Sequence, residues 1–277
     1  MGYKDFCIEQ YRSIYQKEFE DCNLKKPDDK RRYAQKIAIR NATVNAIREF
    51  PKVEPAKIWK TIYLSHINNV SGIADDILIA NIISADQSWK KSSGHAFEEM
   101  VKELGNLALY GTGIKIILQK DLSMLLKSDM ISNEVRDLSW LKEQAKSSVF
   151  DLYMTIEDGE KCFVYGCVQS KTSIRDRVTR DREPSSNAMK AYFWSIAIVL
   201  DGDFLRLPKY QKMVNGGSVE YKENGWHGMY VLTNEKITDG RIYATDIALG
   251  TFTDHALLAA DHWKSQRQWF DNTWLPK

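Results

Sequence analysis

Hydrophobic positions along the chain change their spacing at about residue 105. Before that point, apolar side chains recur at helical intervals, as Ile58 and Ile62 do behind Pro55, which sits where a helix can begin. The segment 93–104 repeats this pattern and predicts a helix that ends near Gly105. The N-terminal part of the chain is therefore expected to be mostly helical.

Short apolar runs bounded by turn residues follow, and they predict strands. The clearest is 149–156, which the turn residues 157–160 separate from a returning run at 162–168, so the two runs predict a β-hairpin. The run 192–200 fits either a buried strand or the end of a helix. Further strands are expected at 114–118 and 229–232, and a last helix over 251–269. The pattern indicates a mixed α/β fold with a helical N-terminal region.

Composition narrows the range of functions. The chain has 277 residues and a formal net charge of +2, which argues against a protein that coats nucleic acid through bulk charge. From Lys171 to Glu183, five Lys or Arg and three Asp or Glu residues give a local charge of +2. Positive charge is therefore concentrated in this segment, and phosphate contacts would have to come from such a local patch.

The remaining composition predicts a soluble, intracellular protein. The four cysteines lack C-x-x-C spacing and have no histidine at zinc-ligand spacing, so reduced thiols are expected. The polar N-terminus has no signal-peptide pattern, and no apolar run is long enough to span a membrane. The five histidines form no ligand spacing, and neither a Ser-His-Asp motif nor a Gly-rich phosphate loop is present.

Two charged residues on the predicted hairpin are candidates for catalysis. Asp151 lies within an otherwise apolar run, where an unpaired carboxylate would be costly, although an Asp at a water-facing strand edge would fit the same pattern. Lys171 follows the returning strand. Alternation places its side chain on the same face as Gln169, Cys167 and Tyr165. If the two strands are neighbours, Asp151 and Lys171 point into one cleft. A lysine that merely ends a strand is the commoner case.

The residues after Lys171 mix arginine and aspartate. Thr172 or Ser173 would cap a helix that carries Arg177 and Asp181 on one stripe. Arginine suits bidentate hydrogen bonding to guanine, and aspartate accepts from the cytosine amino group, so this segment fits a reader of G·C base pairs. A surface helix with internal Arg–Asp pairs is the ordinary alternative. The catalytic pair and this segment together favour a magnesium-dependent, sequence-specific DNA endonuclease.

Three blocks of residues follow one another in the chain. They are Gln87-Ser88-Trp89 with Ser93-Gly94 and Ala96-Phe97-Glu98; Phe150-Asp151-Leu152; and Lys171-Thr172-Ser173-Ile174 with Arg177-Val178, Asp181 and Pro184-Ser185. In this order the blocks resemble the PD-(D/E)xK restriction endonucleases, in particular the group that cuts sites containing CCGG. The resemblance to the BsaWI-type enzymes covers most of the chain, and that to the AgeI type covers the three blocks. Three blocks in the right order are far more specific than any one of them.

The resemblance implies a fold and an activity. The expected fold is a PD-(D/E)xK nuclease core over 87–277, with a central mixed sheet flanked by helices and with the DNA-recognition residues. A helical region over 1–86 precedes it and is a candidate for dimerisation or DNA contacts. The implied activity is that of a type II restriction endonuclease, which hydrolyses both strands of double-stranded DNA at a short palindromic site with Mg²⁺.

The resemblance also implies partners. A palindromic site implies a homodimer in which each subunit cuts one strand. The sequence does not decide whether dimers assemble into higher oligomers. A restriction–modification system in the bacterial cytoplasm implies a cognate DNA methyltransferase. No membrane partner is expected.

Roles for individual residues follow from the resemblance. Asp151 would be the metal-binding aspartate. Lys171 would be the catalytic lysine, which orients or deprotonates the attacking water and offsets developing charge. Glu98, rather than Glu99, matches a helix-borne glutamate that joins the metal site.

One position departs from the wider superfamily. The residue two before the lysine is usually acidic, and here it is Gln169. Enzymes of the CCGG group often take the missing carboxylate from further along the chain, so Glu183 is the expected third metal ligand. The residues expected to read the DNA are Arg175, Asp176, Arg177 and Asp181.

The sequence is also compatible with two other functions. A non-catalytic, sequence-specific DNA-binding protein would use the segment after Lys171 that mixes arginine and aspartate (the Arg/Asp segment) in the same way. It would not need Asp151, Glu98 and Lys171 together. A carboxylate-pair hydrolase, such as a glycosidase, would leave the Arg/Asp segment unexplained.

Overall fold

The chain divides into two compact units in the computed structural model, Met1–Met100 and Val101–Lys277. The division falls inside the long helix α4 (Asp75–Ala108), beyond the boundary after residue 86 that the sequence suggested. The structure describes residues 1–71, 75–147, 149–173, 178–236, 238–266 and 270–276. Among the helices in these ranges, none is long and apolar enough to cross a membrane.

The first unit is helical, as the sequence predicts. Proline opens α2 and α3, where its missing N–H removes no helical hydrogen bond. Small buried side chains on α2, including Ala34, Ala38 and Ala42, let the neighbouring helices pack closely. Besides the N-terminal part of α4, the unit contains α1 (Tyr3–Asp21), α2 (Pro27–Glu49) and α3 (Pro55–Ser71).

The second unit is built on a mixed sheet whose strand order is β1-β2-β3-β4-β5-β7-β6 over the described residues. The first three strands pair antiparallel, β3 to β5 and β7 pair parallel, and the two-residue β6 pairs antiparallel with β7. The run at 192–200 is the strand β4 and not a helix end. The strands are β1 (Ile114–Leu118), β2 (Leu152–Asp158), β3 (Lys161–Ser173), β4 (Trp194–Asp201), β5 (Gly228–Leu232), β6 (Thr238–Asp239) and β7 (Ile242–Thr245).

Helices pack against this sheet. The described α-helices of the unit, besides the end of α4, are α5 (Gln119–Lys127), α6 (Val135–Ser147), α7 (Val178–Lys190), α8 (Pro208–Asn215) and α9 (Gly250–Gln266). Residues 267–269 of the predicted last helix lie outside the described residues. Leu122 of α5 and Ala188 of α7 pack in one apolar cluster with Cys167 of β3. Met213 of α8 packs in a second cluster with Val199 of β4. The fold is the mixed α/β class that the sequence predicts.

A β-bulge corrects the predicted alternation along β3. The register of β3 against β2 shifts between Met154 and Thr155. Val164 and Cys167 consequently face the same cluster, whereas the Tyr165 hydroxyl donates to the carbonyl oxygen of Ala256 on α9 at 3.2 Å. Placing Tyr165 on the face of Lys171 was wrong, because the extra residue of a bulge reverses the direction of the side chains before it.

Two predicted helix boundaries are also wrong. The helix α4 continues past Gly105, which is a packing residue, since a Cβ there would lie 2.3 Å from Ile116 Cδ1. Thr172 and Ser173 do not cap a helix. They belong to β3, and pairing of Ser173 with Asp201 of β4 extends the strand to that point.

Candidate active site

The start of β2 and the end of β3 bring a carboxylate and an ammonium group together. Asp151 directly precedes β2, and its backbone N–H donates to the carbonyl oxygen of Val168 on β3 at 3.2 Å. Lys171 lies further along β3, and its Nζ donates to Asp151 Oδ2 at 2.9 Å. Antiparallel pairing of the two strands therefore produces the contact that the predicted hairpin suggested.

The carboxylate of Asp151 is fixed by the backbone as well as by the lysine. The N–H of Ser170 donates to Asp151 Oδ2 at 2.8 Å. The side chains of Asp151 and Lys171 are only 18% and 12% exposed. Asp151 is thus not a water-facing edge residue, and its hydrogen bonds hold the carboxylate in one orientation on rigid strands.

A second carboxylate faces Lys171 from α7. Asp181 Oδ2 lies 3.9 Å from Lys171 Nζ, and the Asp181 side chain is 19% exposed. Asp181 shares a stripe of α7 with Ser185 and Ala188, which are both fully buried. Ser185 Oγ lies 2.7 Å from Ser195 Oγ on β4, so this stripe faces the sheet. The sequence predicted Asp181 as a DNA contact and missed its position beside Lys171.

Gln169, at the position where the family resemblance implies an acidic residue, is a buried structural amide. Its Nε2 donates to the backbone carbonyl oxygen of Asp181 at 3.0 Å, and Trp226 Nε1 donates to its Oε1 at 2.8 Å. The residue is 1% exposed. A carboxylate at this position would have no proton to donate to the Asp181 carbonyl, so glutamine fits both partners and an ionised glutamate does not.

Glu183 lies on the other side of α7. Two residues along a helix correspond to a rotation of roughly 200°, so Glu183 and Asp181 point in nearly opposite directions. The side chains of Glu183, Asn187 and Lys190 are all exposed and form the outer stripe of the helix. The structure therefore places Asp181, and not Glu183, on the side of α7 that faces Lys171.

The guanidinium group of Arg182 anchors α7 to α8 and to the segment that follows α8 in the chain. Its Nε donates to the carbonyl oxygen of Met213 at 3.2 Å, and its Nη2 donates to the carbonyl oxygen of Glu223. The guanidinium carbon also lies 5.3 Å from the ring centroid of Tyr221. The other predicted DNA-reading residues, Arg175, Asp176 and Arg177, lie outside the described residues.

The two glutamates of α4 belong to the first unit. Glu99 is 13% exposed and forms ion pairs with Lys36 and Arg40 of α2, with 3.1 Å between Arg40 Nη1 and Glu99 Oε2. Glu99 therefore takes part in an ion-pair network that ties α2 to α4. Glu98 is 19% exposed, and its Oε2 lies 3.2 Å from His95 Nδ1.

The second unit provides some, but not all, of the ligands that a bound Mg²⁺ ion needs. Across the part of the chain that the structure describes, no group of three or more His, Cys, Asp or Glu side chains could hold a metal ion. Mg²⁺, however, is commonly bound through one or two carboxylates together with water and substrate phosphates. Asp151 and Asp181 provide two carboxylates of that kind on either side of Lys171.

Comparisons with known proteins identify relatives of this chain. The family described as BsaWI restriction endonuclease type 2 matches residues 131–269. The chain is similar to the restriction endonuclease BsaWI in a structure described as a pre-specific complex with DNA. The two are 53% identical, the match covers 99% of this chain and 98% of that chain, and the TM-score is 0.71.

A second solved structure supports the fold. It is described as a specific complex of the restriction endonuclease AgeI with DNA, and it is 20% identical to this chain, with 91% of each chain covered and a TM-score of 0.62. Among curated proteins, none matches the chain. The fold and the comparisons define a type II restriction endonuclease. The chain belongs to the BsaWI restriction endonuclease family, which confirms the resemblance seen in the sequence.

Proposed function

We propose that this protein cleaves both strands of double-stranded DNA at a short palindromic site containing CCGG, with Mg²⁺ as its cofactor. The observation that carries the proposal is the 2.9 Å contact between Lys171 Nζ and Asp151 Oδ2 at the ends of two neighbouring strands. The similar BsaWI and AgeI structures are described as DNA complexes, which supports DNA as the substrate.

The active centre follows the PD-(D/E)xK pattern. Asp151 would hold Mg²⁺, which supplies a Lewis acid for phosphodiester hydrolysis when it is bound. Lys171 would orient or deprotonate the attacking water and offset negative charge on the phosphate. The family resemblance assigns Glu98 to the same centre. Because Gln169 stands at the position where the family resemblance implies an acidic residue, we expect a carboxylate of α7 to take over that role.

Recognition and assembly complete the proposal. Arg175, Asp176 and Arg177 would read G·C pairs through their base edges, as the family resemblance implies. A palindromic site is matched by a two-fold homodimer in which each subunit cuts one strand. We propose that the enzyme acts in the bacterial cytoplasm, beside a methyltransferase that protects the same site in the host DNA.

Digestion of a plasmid of known sequence tests this function. Purified protein is incubated with the plasmid in Mg²⁺ and in EDTA, and the fragment ends are sequenced. Discrete Mg²⁺-dependent fragments that end at one CCGG-containing palindrome are the expected result, and they also give the stagger. Fragments that end at unrelated sequences would refute the site, and an intact plasmid in Mg²⁺ would refute the nuclease function.

The variant Asp151→Ala separates catalysis from binding. Loss of the carboxylate should abolish cleavage and largely spare specific binding to a duplex that contains the site. An equally strong loss of metal-free specific binding would count against a catalytic role for Asp151. Specific binding without cleavage by the unaltered protein would instead favour a non-catalytic DNA-binding protein.

A further inference from the structure

We infer that the carboxylate of Asp181, rather than that of Glu183, is the second acidic group of the active centre and helps to hold the divalent cation. The inference rests on the proposed nuclease function and names a residue of that same site. It also gives Asp181 a role in the active centre instead of in reading the DNA.

The two carboxylates beside Lys171 support a cation site. Its ammonium nitrogen lies 2.9 Å from Asp151 Oδ2 and 3.9 Å from Asp181 Oδ2, so the two carboxylate oxygens lie within about 7 Å of each other. Carboxylate oxygens are ligands that Mg²⁺ prefers, and the two carboxylates approach the same ammonium group from β2 and from α7. An ion with its bound waters can reach both carboxylates across this distance.

The backbone of Asp181 is held independently of its carboxylate. Gln169 binds the Asp181 carbonyl from β3, and Ser185, one turn later on α7, meets Ser195 of β4 with 2.7 Å between the hydroxyl oxygens. These contacts attach the first two turns of α7 to the strands. The carboxylate is therefore presented to Lys171 on a rigid element, as precise metal or transition-state contacts require.

The side chain of Glu183 on the same helix points away from Lys171. Its side chain is exposed, and it belongs to the outer stripe of α7 with Asn187 and Lys190. Reaching Lys171 from that position would require α7 to rotate about its axis. Such a rotation would break the bond from Gln169 to Asp181 and the contact of Ser185 with Ser195.

Matched substitutions in the full-length protein test the inference. The variants are Asp181→Asn, Glu183→Gln and, as a control, Asp203→Asn, whose carboxylate is 90% exposed. Three properties are measured: Mn²⁺ binding by electron paramagnetic resonance, the single-turnover rate of cleavage with Mg²⁺, and metal-free binding to duplexes with the site intact or with one G·C pair replaced.

Asp181→Asn should weaken Mn²⁺ binding and slow cleavage, each by about 10- to 100-fold, while the preference for the intact site is kept. Glu183→Gln and Asp203→Asn should match the unaltered protein in Mn²⁺ binding. Equal Mn²⁺ binding by Asp181→Asn and Asp203→Asn, with losses confined to Glu183→Gln, would overturn the inference. Loss of site preference in Asp181→Asn, with Mn²⁺ binding intact, would make Asp181 a DNA-reading residue and would also overturn it.

A second variant guards against a folding defect. Asp181→Glu keeps the charge but moves the oxygens by one methylene, so it should retain Mn²⁺ binding and cleave more slowly. Cleavage at the unaltered rate would contradict the inference. If the unaltered protein cleaves DNA and these variants cleave equally well, the inference alone fails. If the unaltered protein does not cleave, the proposed function fails.

Discussion

The side-chain amide of Gln169 donates to the peptide carbonyl oxygen of Asp181, with 3.0 Å between Gln169 Nε2 and that oxygen, and not to the Asp181 carboxylate. The side chain that occupies the usual acidic position on β3 is therefore the one that positions α7. Its other end accepts a hydrogen bond from Trp226, so both ends of a buried amide are used. Gln169 of β3 is thereby hydrogen-bonded to the backbone of the residue that carries the α7 carboxylate.

Replacing Gln169 with glutamate should damage both stability and catalysis. The substitution removes the donor to the Asp181 carbonyl and buries a negative charge, so we expect a loss of about 1–3 kcal/mol in the free energy of unfolding. Cleavage should slow as well, because α7 would no longer hold Asp181 against Lys171. Urea denaturation and a single-turnover cleavage assay measure the two effects. Unchanged values in both would show that this hydrogen bond positions nothing.

Removing the ammonium group of Lys171 should separate chemistry from metal binding. In Lys171→Met the two neighbouring carboxylates remain, so Mn²⁺ should still bind, whereas cleavage should fall by about 100-fold or more. Binding of the cognate duplex should persist. Cleavage at more than a tenth of the normal rate would contradict a catalytic role for Lys171.

The hairpin and the contact between Asp151 and Lys171 could be predicted because their information is local. Asp151 and Lys171 lie on strands that are joined by a short turn, so sequence spacing alone brings them together. The position of Asp181 could not be predicted in the same way. The end of β3 is set by parallel pairing with β4, a long-range contact, and the start of α7 sets which of its side chains faces the sheet.

Glycine was similarly ambiguous in the sequence. Gly105 suggests a helix end, because glycine often follows the last helical turn. In the structure it lies inside α4, where close approach to Ile116 of β1 requires the absence of a side chain. Local pattern cannot distinguish these two uses of glycine, since the second depends on a residue from a different element.

Two glycines of α4 should therefore respond in opposite directions to alanine. In Gly94→Ala the added Cβ meets no atom within 4 Å, so relief of glycine's backbone entropy should stabilise the protein by about 0.5–1 kcal/mol. In Gly105→Ala the Cβ would lie 2.3 Å from Ile116 Cδ1 and should destabilise it by about 1 kcal/mol or more. Thermal unfolding measures both changes. The double variant with Ile116→Val, which removes that methyl group, should recover part of the loss, and a stabilised Gly105→Ala would contradict the packing argument.

Acid should destabilise the protein through His227. Burial lowers its pKa from the usual 6.5 to about 3, and the neutral ring accepts from the Ser195 N–H at 3.0 Å and donates to the carbonyl oxygen of Asp271 at 2.6 Å. The unfolded chain binds a proton on this ring below about pH 6.5, whereas the folded chain does not until about pH 3. The contribution of His227 is therefore complete above pH 6.5 and declines by about 1.4 kcal/mol per pH unit as the pH falls through that window.

The variant His227→Gln isolates this contribution. Burial also lowers the pKa values of His66 and His255, so the unaltered protein loses stability in acid for more than one reason. Urea midpoints measured at about pH 8 and at about pH 5 should fall less in His227→Gln than in the unaltered protein. An equal fall in both would show that His227 titrates normally in the folded state.

Arg177 provides the test of DNA reading, on a residue outside the described part of the chain. If it forms a bidentate contact with guanine, Arg177→Ala should remove discrimination at one G·C pair and cost about 1–3 kcal/mol of specific binding. Binding constants are measured for the intact site and for duplexes with single base-pair replacements, over a range of salt concentrations. A phosphate contact would give a different result, because preference among the duplexes would survive and only the salt dependence would weaken. Arg180, which is exposed on α7, gives a matched arginine-to-alanine comparison in the same segment.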